Sequence, residues 1–171
     1  ESMIEGSKEQ MDKLYTLLEN KEWGLDLLRE DIDRMRDHMM SHVFMPANVY
    51  MVIEEYFKNK ARIILDTGNF CTIGEHIWRV HRSDLYLSSG QGRYMGTAIP
   101  MALGSLFYDS EVPVVAFTGD GSIGVYISDI KIAVERRFPF LLILMSDGFF
   151  GSTRGRAIKD GLTQKPVTIS N

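Results

Sequence analysis

The sequence contains very little cysteine: Cys71 is the one cysteine among 171 residues. A single thiol excludes an internal disulfide framework, a Cys-rich zinc site and a cluster held by several thiolates, and it fits a reducing cytoplasm. The chain also lacks an excess of positive charge, because 19 Lys and Arg residues are scattered among 23 Asp and Glu residues. Without a basic stripe, nucleic acid is not an expected partner.

Long apolar runs are absent as well, since none approaches the roughly 20 residues that a helix needs to cross a bilayer. Residues 1–3 lack the basic and then apolar order of a secretory signal, and they read as the cut edge of a longer polypeptide. We therefore expect a cytoplasmic protein without a membrane partner.

What is present is the ordinary composition of one α/β domain, with 44% hydrophobic and 25% charged side chains. Residues 1–45 are predicted to form a helical linker or docking arm, because a capping-box pattern at Ser7 and Gln10 precedes two stretches of helical periodicity. The apolar residues of the two stretches are Met11, Leu14, Tyr15 and Leu18, then Trp23, Leu27, Leu28, Ile32, Met35 and Met39. Residues 46–171 are predicted to form an α/β domain whose sheet is incomplete at Asn171.

From Pro46 onward, short apolar strands alternate with helices. The predicted strands are 62–65, 85–87, 114–118 and 140–145, and the predicted helices between and around them are 49–56, 72–80, 94–107 and 125–137. This alternation predicts a parallel sheet with helices on both faces. Turns rich in Gly, Asp, Ser or Asn follow the carboxyl ends of the strands, where open α/β sheets bind their ligands.

The most informative segment is Gly119-Asp120-Gly121-Ser122, which follows a predicted strand and precedes a helix. Its two glycines let the backbone turn sharply and approach an anion, and the free N–H groups of a helix start favour phosphate oxygens. Asp120 would be repelled by bare phosphate, so its presence predicts a hard cation such as Mg²⁺ between the carboxylate and a diphosphate. Asp147 follows the next strand and is expected at the same edge of the sheet as a second ligand.

The segment Gly119-Asp120-Gly121, a spacer at 122–145 and the pair Ser146-Asp147 resemble the thiamine-diphosphate signature, usually written as GDG, a spacer in the middle twenties and Asn-Asn. The resemblance implies that Mg²⁺ is bound by the side chains of Asp120 and Asp147 and by the backbone carbonyl of Phe149. Asp147 stands where the family has Asn. The extra charge should tighten metal binding and also increase repulsion of the diphosphate, and the sequence leaves open which effect wins.

Two further segments lie in the order that this family requires, and the resemblance covers about residues 46–165. Residues 66–71 look like its first diphosphate-contacting turn, and residues 90–96 are similar to the glycine-rich loop of acetohydroxyacid synthases. In that family the position of Met95 holds a side chain that wedges between the two rings of the cofactor and bends it. Arg93 stands where relatives often have Gly, and its side chain is a candidate for reaching an acidic substrate. The implied cofactor contacts are Asn69, Phe70, Cys71, Arg93, Met95, Gly119, Gly121, Ser122, Phe150 and Gly151.

The resemblance implies the diphosphate- and Mg-binding domain or subunit of a 2-oxoacid decarboxylase or carboligase that acts on a small 2-oxoacid. In the family, a glutamate from a separate pyrimidine-binding domain activates the cofactor, and no segment here resembles that domain. We therefore expect a pyrimidine-binding partner domain or subunit within a homo- or hetero-oligomer. The chain by itself is expected to be inactive.

Two other functions stay open at this point. Gly90 and Gly92 precede a predicted helix, as in dinucleotide-binding loops, although the third glycine, Gly96, comes one residue late. Asp147 in place of Asn keeps open a catalytically inactive scaffolding or regulatory homologue. Arg154 and Arg156, which follow the second metal loop, fit a substrate clamp and a solvated loop charge equally well.

Overall fold

The computed structural model describes residues 10, 12–13, 16, 24–40, 44–90, 92–163 and 165–169. The predicted first helix, which begins near Ser7, lies largely outside the described residues. The chain divides into two units, residues 1–34 and 35–171, and each is described by itself. Helix α1 (Leu25–Met40) begins in the first unit, where Leu27 and Leu28 are 68% and 56% exposed. At these two positions the predicted apolar face of the arm contacts solvent.

The second unit is built on a parallel sheet of four strands in the order β2-β1-β3-β4. The strands are β1 (Arg62–Leu65), β2 (Tyr86–Ser88), β3 (Val114–Gly119) and β4 (Phe140–Met145). The helices are α2 (Pro46–Phe57), α3 (Asn69–Ile77), α4 (Ala98–Tyr108), α5 (Asp120–Ile123), α6 (Ile130–Arg136) and α7 (Gly151–Lys159). The predicted parallel α/β fold is confirmed. Among the described helices, none is both long and apolar enough to cross a membrane.

Alternating side chains of the central strands divide the core between the two faces of the sheet. Ile63 of β1 packs with Tyr50 of α2 on one face, whereas Ile64 packs with Ala102 of α4 on the other. The Tyr50 ring stacks on Phe117 of β3 with 4.4 Å between the ring centroids. Burial of each large apolar side chain of this kind contributes about 1.5–3 kcal/mol. Because helices cover both faces, β1 and β3 are buried along their whole length, which explains their nearly unbroken apolar sequences.

Strand β4 is an edge of the described sheet, and its pairing partner there is β3. Its six residues are all apolar, yet Leu141 and Leu144 are 42% and 49% exposed. Within the described residues, the other side of its backbone is not paired with a strand. Proteins usually cover such an edge or protect it with charged residues.

The helix predicted at 125–137 is broken in the structure, which corrects the sequence prediction. Helix α5 has only four residues, a 3₁₀ turn follows at Ile127–Asp129, and α6 begins at Ile130. Gly124, Val125 and Tyr126 fall in the break, and glycine, β-branched and aromatic residues all have low helix propensity. The segment Gly119-Asp120-Gly121-Ser122 therefore enters one short helical turn and not a long helix.

Helix α3 lies three residues before its predicted range of 72–80, and two other helices differ from the prediction in more than register. Helix α4 begins at Ala98 and not at residue 94, because Gly96 has a φ of +86°, which a right-handed helix does not accommodate. Helix α7 was not predicted, since its sequence lacks an apolar period and buries Ala157 alone among its residues. Both helices begin at the carboxyl edge of the sheet, so these differences fall next to the candidate site.

Candidate active site

The loops that follow β1, β3 and β4 enclose a cavity of about 750 Å³ at the carboxyl edge of the sheet. The strand order reverses between β1 and β3, and open α/β sheets bind ligands in the crevice outside such a point. The volume lies within the range of about 300–1,000 Å³ that is common for small-molecule sites. The cavity therefore has the position and the size of a ligand site.

The structure brings almost all of the predicted site residues to this cavity. Those that line it are Asn69, Phe70, Arg93, Met95, Gly119, Asp120, Gly121, Ser122, Asp147, Phe149, Phe150 and Gly151. Cys71 is the predicted contact that is not among the lining residues. The binding roles of the lining residues stay predictions, because lining a cavity is not contact with a ligand.

Asp120 is the first residue of α5, and it joins the loop after β3 to the loop after β4. Its Oδ2 atom accepts hydrogen bonds of 2.8 Å from Ser146 Oγ and from the Gly148 N–H, and its Oδ1 atom accepts one of 2.9 Å from the Gly121 N–H. Burial raises the pKa of the Asp120 carboxyl, but the bond from Ser146 and those from backbone N–H groups outweigh burial and lower its pKa below the usual range. Asp120 is therefore an anion at neutral pH.

Asp147 belongs to the loop that binds Asp120, and its carboxylate lies beside Gly151 at the start of α7. The Oδ1 atom of Asp147 accepts a 3.0 Å hydrogen bond from the Phe149 N–H. A Cβ atom added to Gly151 would lie 3.0 Å from Asp147 Oδ2 and 2.6 Å from Asn69 Nδ2. The carboxylate and the amide therefore both lie next to Gly151 at the cavity wall, where a side chain on residue 151 would collide with them.

Met95 and Phe150 both lie close to Gly121 in the motif after β3. A Cβ atom added to Gly121 would lie 2.5 Å from Phe150 Cε1 and 3.3 Å from Met95 Cε. Glycine is required here by the close approach of these side chains. The thioether of Met95 therefore lies directly over the loop that carries Asp120.

The structure places Cys71 outside the cavity lining, which separates it from the predicted diphosphate contacts. Cys71 is 3% exposed, and its thiol donates a hydrogen bond of 3.4 Å to Glu75. Burial raises the pKa of this thiol to about 11, and the charge of Glu75 acts in the same direction. Arg93 makes a 2.8 Å ion pair with Glu75 and contacts the sulfur at 3.8 Å. Cys71 is therefore a neutral thiol at physiological pH.

The cavity also has an apolar wall and a polar helix start that the sequence patterns do not identify. The apolar wall comes from the start of α2 and from α3, and the polar side chains belong to the first turn of α7. The lining residues from these segments are Phe44, Met45, Pro46, Val49, Ile73, Ser152 and Thr153, and Thr67, Gly68 and residues 143–146 complete the lining. Ile73 lies one helical turn after Asn69 and therefore shares its face of α3, which can be inferred once the start of α3 is known.

A metal ion at this site would need ligands beyond the protein's carboxylates. The described residues contain no cluster of three or more His, Cys, Asp or Glu side chains that would hold an ion. The carboxylates that line the cavity are those of Asp120 and Asp147. Such a donor set fits Mg²⁺, which is commonly bound by one or two carboxylates together with phosphate oxygens and water.

The fold and the cavity define an α/β domain that binds a ligand where the strand order of its sheet reverses. Residues 66–168 match the family described as "Thiamine pyrophosphate enzyme, C-terminal TPP binding domain". The match covers more than half of the chain and includes the loops after β1, β3 and β4. The chain belongs to this family of thiamine-diphosphate-binding domains. A dinucleotide-binding module is not supported.

Similar proteins include a probable sulfoacetaldehyde acetyltransferase of Rhizobium meliloti, which is 26% identical over 72% of this chain and 20% of its own length. The acetolactate synthase large subunit of Haemophilus influenzae is 27% identical over 88% of this chain and 25% of its own length. The chain thus spans about a quarter or less of these two relatives.

Among solved structures, a thiamine diphosphate-dependent 4-hydroxybenzoylformate decarboxylase of Rhodococcus jostii superposes with a TM-score of 0.66. The two chains are 18% identical, and the superposition covers 74% of this chain and 24% of the other. At this level of sequence identity, the superposition shows a shared fold and nothing about activity.

Proposed function

We propose that the chain binds thiamine diphosphate together with Mg²⁺ in the cavity and forms the diphosphate half of the active site of a 2-oxoacid decarboxylase or carboligase. The observation that carries the proposal is the link from Asp120 to Ser146 and Gly148, the residues on either side of Asp147. This link holds two carboxylates from distant parts of the chain in the lining of one cavity. Family membership supports the choice of cofactor.

The metal ligands are proposed to be the carboxylates of Asp120 and Asp147 and the carbonyl of Phe149. A divalent cation between these oxygens and the diphosphate would offset the repulsion between two carboxylates and a polyanion. The phosphate groups are proposed to lie in the part of the cavity lined by Gly119, Gly121 and Gly151, where the backbone carries no side chains of its own. Because these glycines have no side chains, their backbone groups can come close to the ligand.

The bound cofactor would act as an electron sink for bond cleavage next to a 2-oxoacid carbonyl. The chain's own contribution is binding and orientation. Asn69 and Ser122 lie at the glycine-lined end of the cavity and are proposed to contact the diphosphate. Met95 lies over the motif and would press the cofactor into its bent form, and the backbone of Arg93 is proposed to face the aminopyrimidine ring.

A partner is proposed to complete the site from the side of the cavity mouth. Large apolar side chains are exposed on the loop of Met95 and on the segment of Val125 that packs against it, which is typical of surfaces that contact another domain. They are Tyr94, Met95, Val125, Tyr126 and Ile127, which are between 42% and 68% exposed. The partner would be a pyrimidine-binding domain or subunit that supplies an activating glutamate, in a homo- or hetero-oligomer. Without it we expect weak cofactor binding and no turnover of the small 2-oxoacid substrate.

Titration calorimetry with thiamine diphosphate tests the binding proposal, with and without Mg²⁺, on the intact protein and any partner subunit that it requires. Asp120→Ala should abolish the Mg²⁺-dependent part of binding, since it removes a charged ligand. Asp160→Ala is the matched control, because Asp160 is an exposed carboxylate after α7. Mg²⁺-dependent binding that survives Asp120→Ala contradicts the proposed metal site.

The replacement of Asn-Asn by Ser146-Asp147 favours one competing function, an inactive scaffolding or regulatory homologue. The same variant separates the two functions when carbon dioxide release from pyruvate is measured in the assembled enzyme. A catalytic role predicts loss of activity in Asp120→Ala, whereas a scaffold leaves activity unchanged. Full activity of the isolated chain would contradict the half-site proposal.

A further inference from the structure

Asp66 is a buried carboxylate at the carboxyl end of β1, only 1% exposed. Both of its oxygens accept hydrogen bonds from the Gly96 N–H, at 2.9 and 3.1 Å. It also accepts a bond of 2.7 Å from the Thr67 N–H and one of 3.1 Å from Thr118 Oγ1. A carboxylate is a strong acceptor for several donors, and burying it is favourable only when they are present. Asp66 thus joins the loop of Met95 to the ends of β1 and β3.

Gly96 holds a conformation that other residues cannot adopt without cost. Its φ is +86°, and a Cβ atom at this position would lie 2.8 Å from Val125 Cβ. The backbone there is fixed by its bond to Asp66 and by its packing against Val125. Because Met95 is the preceding residue, its position depends directly on this contact.

A second contact holds the other end of the loop. Arg93 has a φ of 47°, an uncommon conformation for a residue with a side chain. Its guanidinium makes a 2.8 Å ion pair with Glu75 of α3. Residues in sparsely populated backbone regions persist where surrounding contacts hold them. The segment 93–96 is therefore held at one end by Glu75 and at the other by Asp66.

We propose that Asp66 and Glu75 are positioning residues that hold Met95 over Gly121 and thereby set the bend of the bound cofactor. The inference rests on the proposed function. Neither carboxylate lines the cavity. Both act through the loop, Asp66 through the Gly96 N–H and Glu75 through the guanidinium of Arg93. Small displacements of a positioning group lower reaction rates strongly, by up to about a hundredfold for 1 Å.

Asp66→Asn is the direct test of the first contact. Asparagine keeps the size of the side chain but replaces one acceptor oxygen with an NH₂ group, which must face a hydrogen-bond donor in this environment. Thr118→Val is its matched control, since it removes one bond to Asp66 and leaves the bond from Gly96 in place. Glu75→Gln tests the second contact at a partly exposed position. Its control is Glu135→Gln, in the exposed ion pair with Lys131.

Three measurements on the intact protein separate positioning from general damage. Deuterium uptake of peptides covering residues 92–97 reports on the loop before any cofactor is added. Calorimetry gives the dissociation constant of thiamine diphosphate with Mg²⁺. Proton exchange at the thiazolium C2 of the bound cofactor, followed by NMR, reports on its bend. Asp66→Asn and Glu75→Gln should increase loop uptake and slow C2 exchange by at least about tenfold, with an affinity change of less than about threefold.

The controls should leave loop uptake and C2 exchange unchanged, although Thr118→Val is expected to lower thermal stability. If Asp66→Asn does not fold, Glu75→Gln alone decides the proposal. The proposal would be overturned if Glu75→Gln showed the same deuterium uptake in the loop and the same C2 exchange as the unsubstituted protein. Failure of thiamine diphosphate to bind the unsubstituted protein would instead contradict the proposed function, while loop uptake would still test the two contacts.

Discussion

Ser152 Oγ donates a 2.7 Å hydrogen bond to Asn69 Oδ1, which joins the first turns of α7 and α3 across 83 residues of sequence. Both side chains line the cavity, and Asn69 lies beside Gly151, as Asp147 does. The bond therefore connects the turn after β1 with the loop after β4 at the place where the diphosphate is proposed to bind.

This contact predicts coupled effects of substitution at its two ends. Because the bond is exposed, Asn69→Ala and Ser152→Ala should show a coupling of about 0.5–1 kcal/mol in the free energy of unfolding. The double variant should be little worse than the more harmful single variant. Urea denaturation of all four proteins measures the coupling, and additive losses would show that the two residues act independently.

Gly121→Ala should weaken cofactor binding by at least about tenfold, because the added methyl group displaces Phe150 and crowds the space beside Met95. Gly104→Ala is the control. Gly104 is exposed in α4 with no atom within 4 Å of an added Cβ, so alanine should stabilise the domain by about 0.5–1 kcal/mol. Calorimetry and thermal unfolding give the two results. Equal cofactor affinity in the two variants would argue against phosphate binding near Gly121.

Asp147→Asn should separate the two expected effects of the extra charge, which are tighter metal binding and stronger repulsion of the diphosphate. The amide keeps an oxygen that can accept from the Phe149 N–H, so the turn is retained. Loss of one negative charge should raise the half-saturating Mg²⁺ concentration by about three- to tenfold. At saturating Mg²⁺ the affinity for thiamine diphosphate should rise, since repulsion is smaller. Asp160→Asn provides the control, and unchanged Mg²⁺ dependence in Asp147→Asn would show that the charge of Asp147 does not contribute to metal binding.

Because the pKa of the Cys71 thiol is raised, the free energy of unfolding should fall at alkaline pH. Its pKa is raised by burial from an ordinary value of 9.0 to about 11. The folded state therefore holds its proton more tightly than the unfolded state, and this contribution is complete below pH 9 and is lost as pH rises to 11. The free energy of unfolding should fall by about 1–2 kcal/mol over this range because of Cys71. Cys71→Ala should remove this part of the pH dependence, and an identical profile would show that the thiol does not contribute.

Much of the fold was predictable because its strands are short apolar runs bounded by turn residues. β1 and β4 have the predicted bounds, and β2 is displaced by one residue. The break after α5 was not predictable from periodicity, since Ile130 and Ala133 continue an apolar pattern that begins before it. In the structure, Val125 packs against Gly96, and this tertiary contact adds to the low helix propensity of the residues in the break.

The convergence of Asp120 and Asp147 on one cavity followed from the rule that parallel strands end at the same edge of a sheet. The position of Cys71 outside the cavity lining did not follow from this rule, because it depends on where α3 begins. With Asn69 as the first residue, Asn69 and Ile73 share the cavity side, and Cys71 shares another side with Glu75. The bond from Gly96 to Asp66 was also invisible in the sequence, since it joins residues 30 positions apart through a backbone group.

The uncharged edge of β4 has a practical consequence for work with this protein. An extended, unprotected strand without charge or proline is a template on which other chains add by the same hydrogen bonding that builds cross-β assemblies. Preparations in which this edge is not covered should lose material with time and concentration, so samples for the calorimetric measurements are best kept dilute and used fresh.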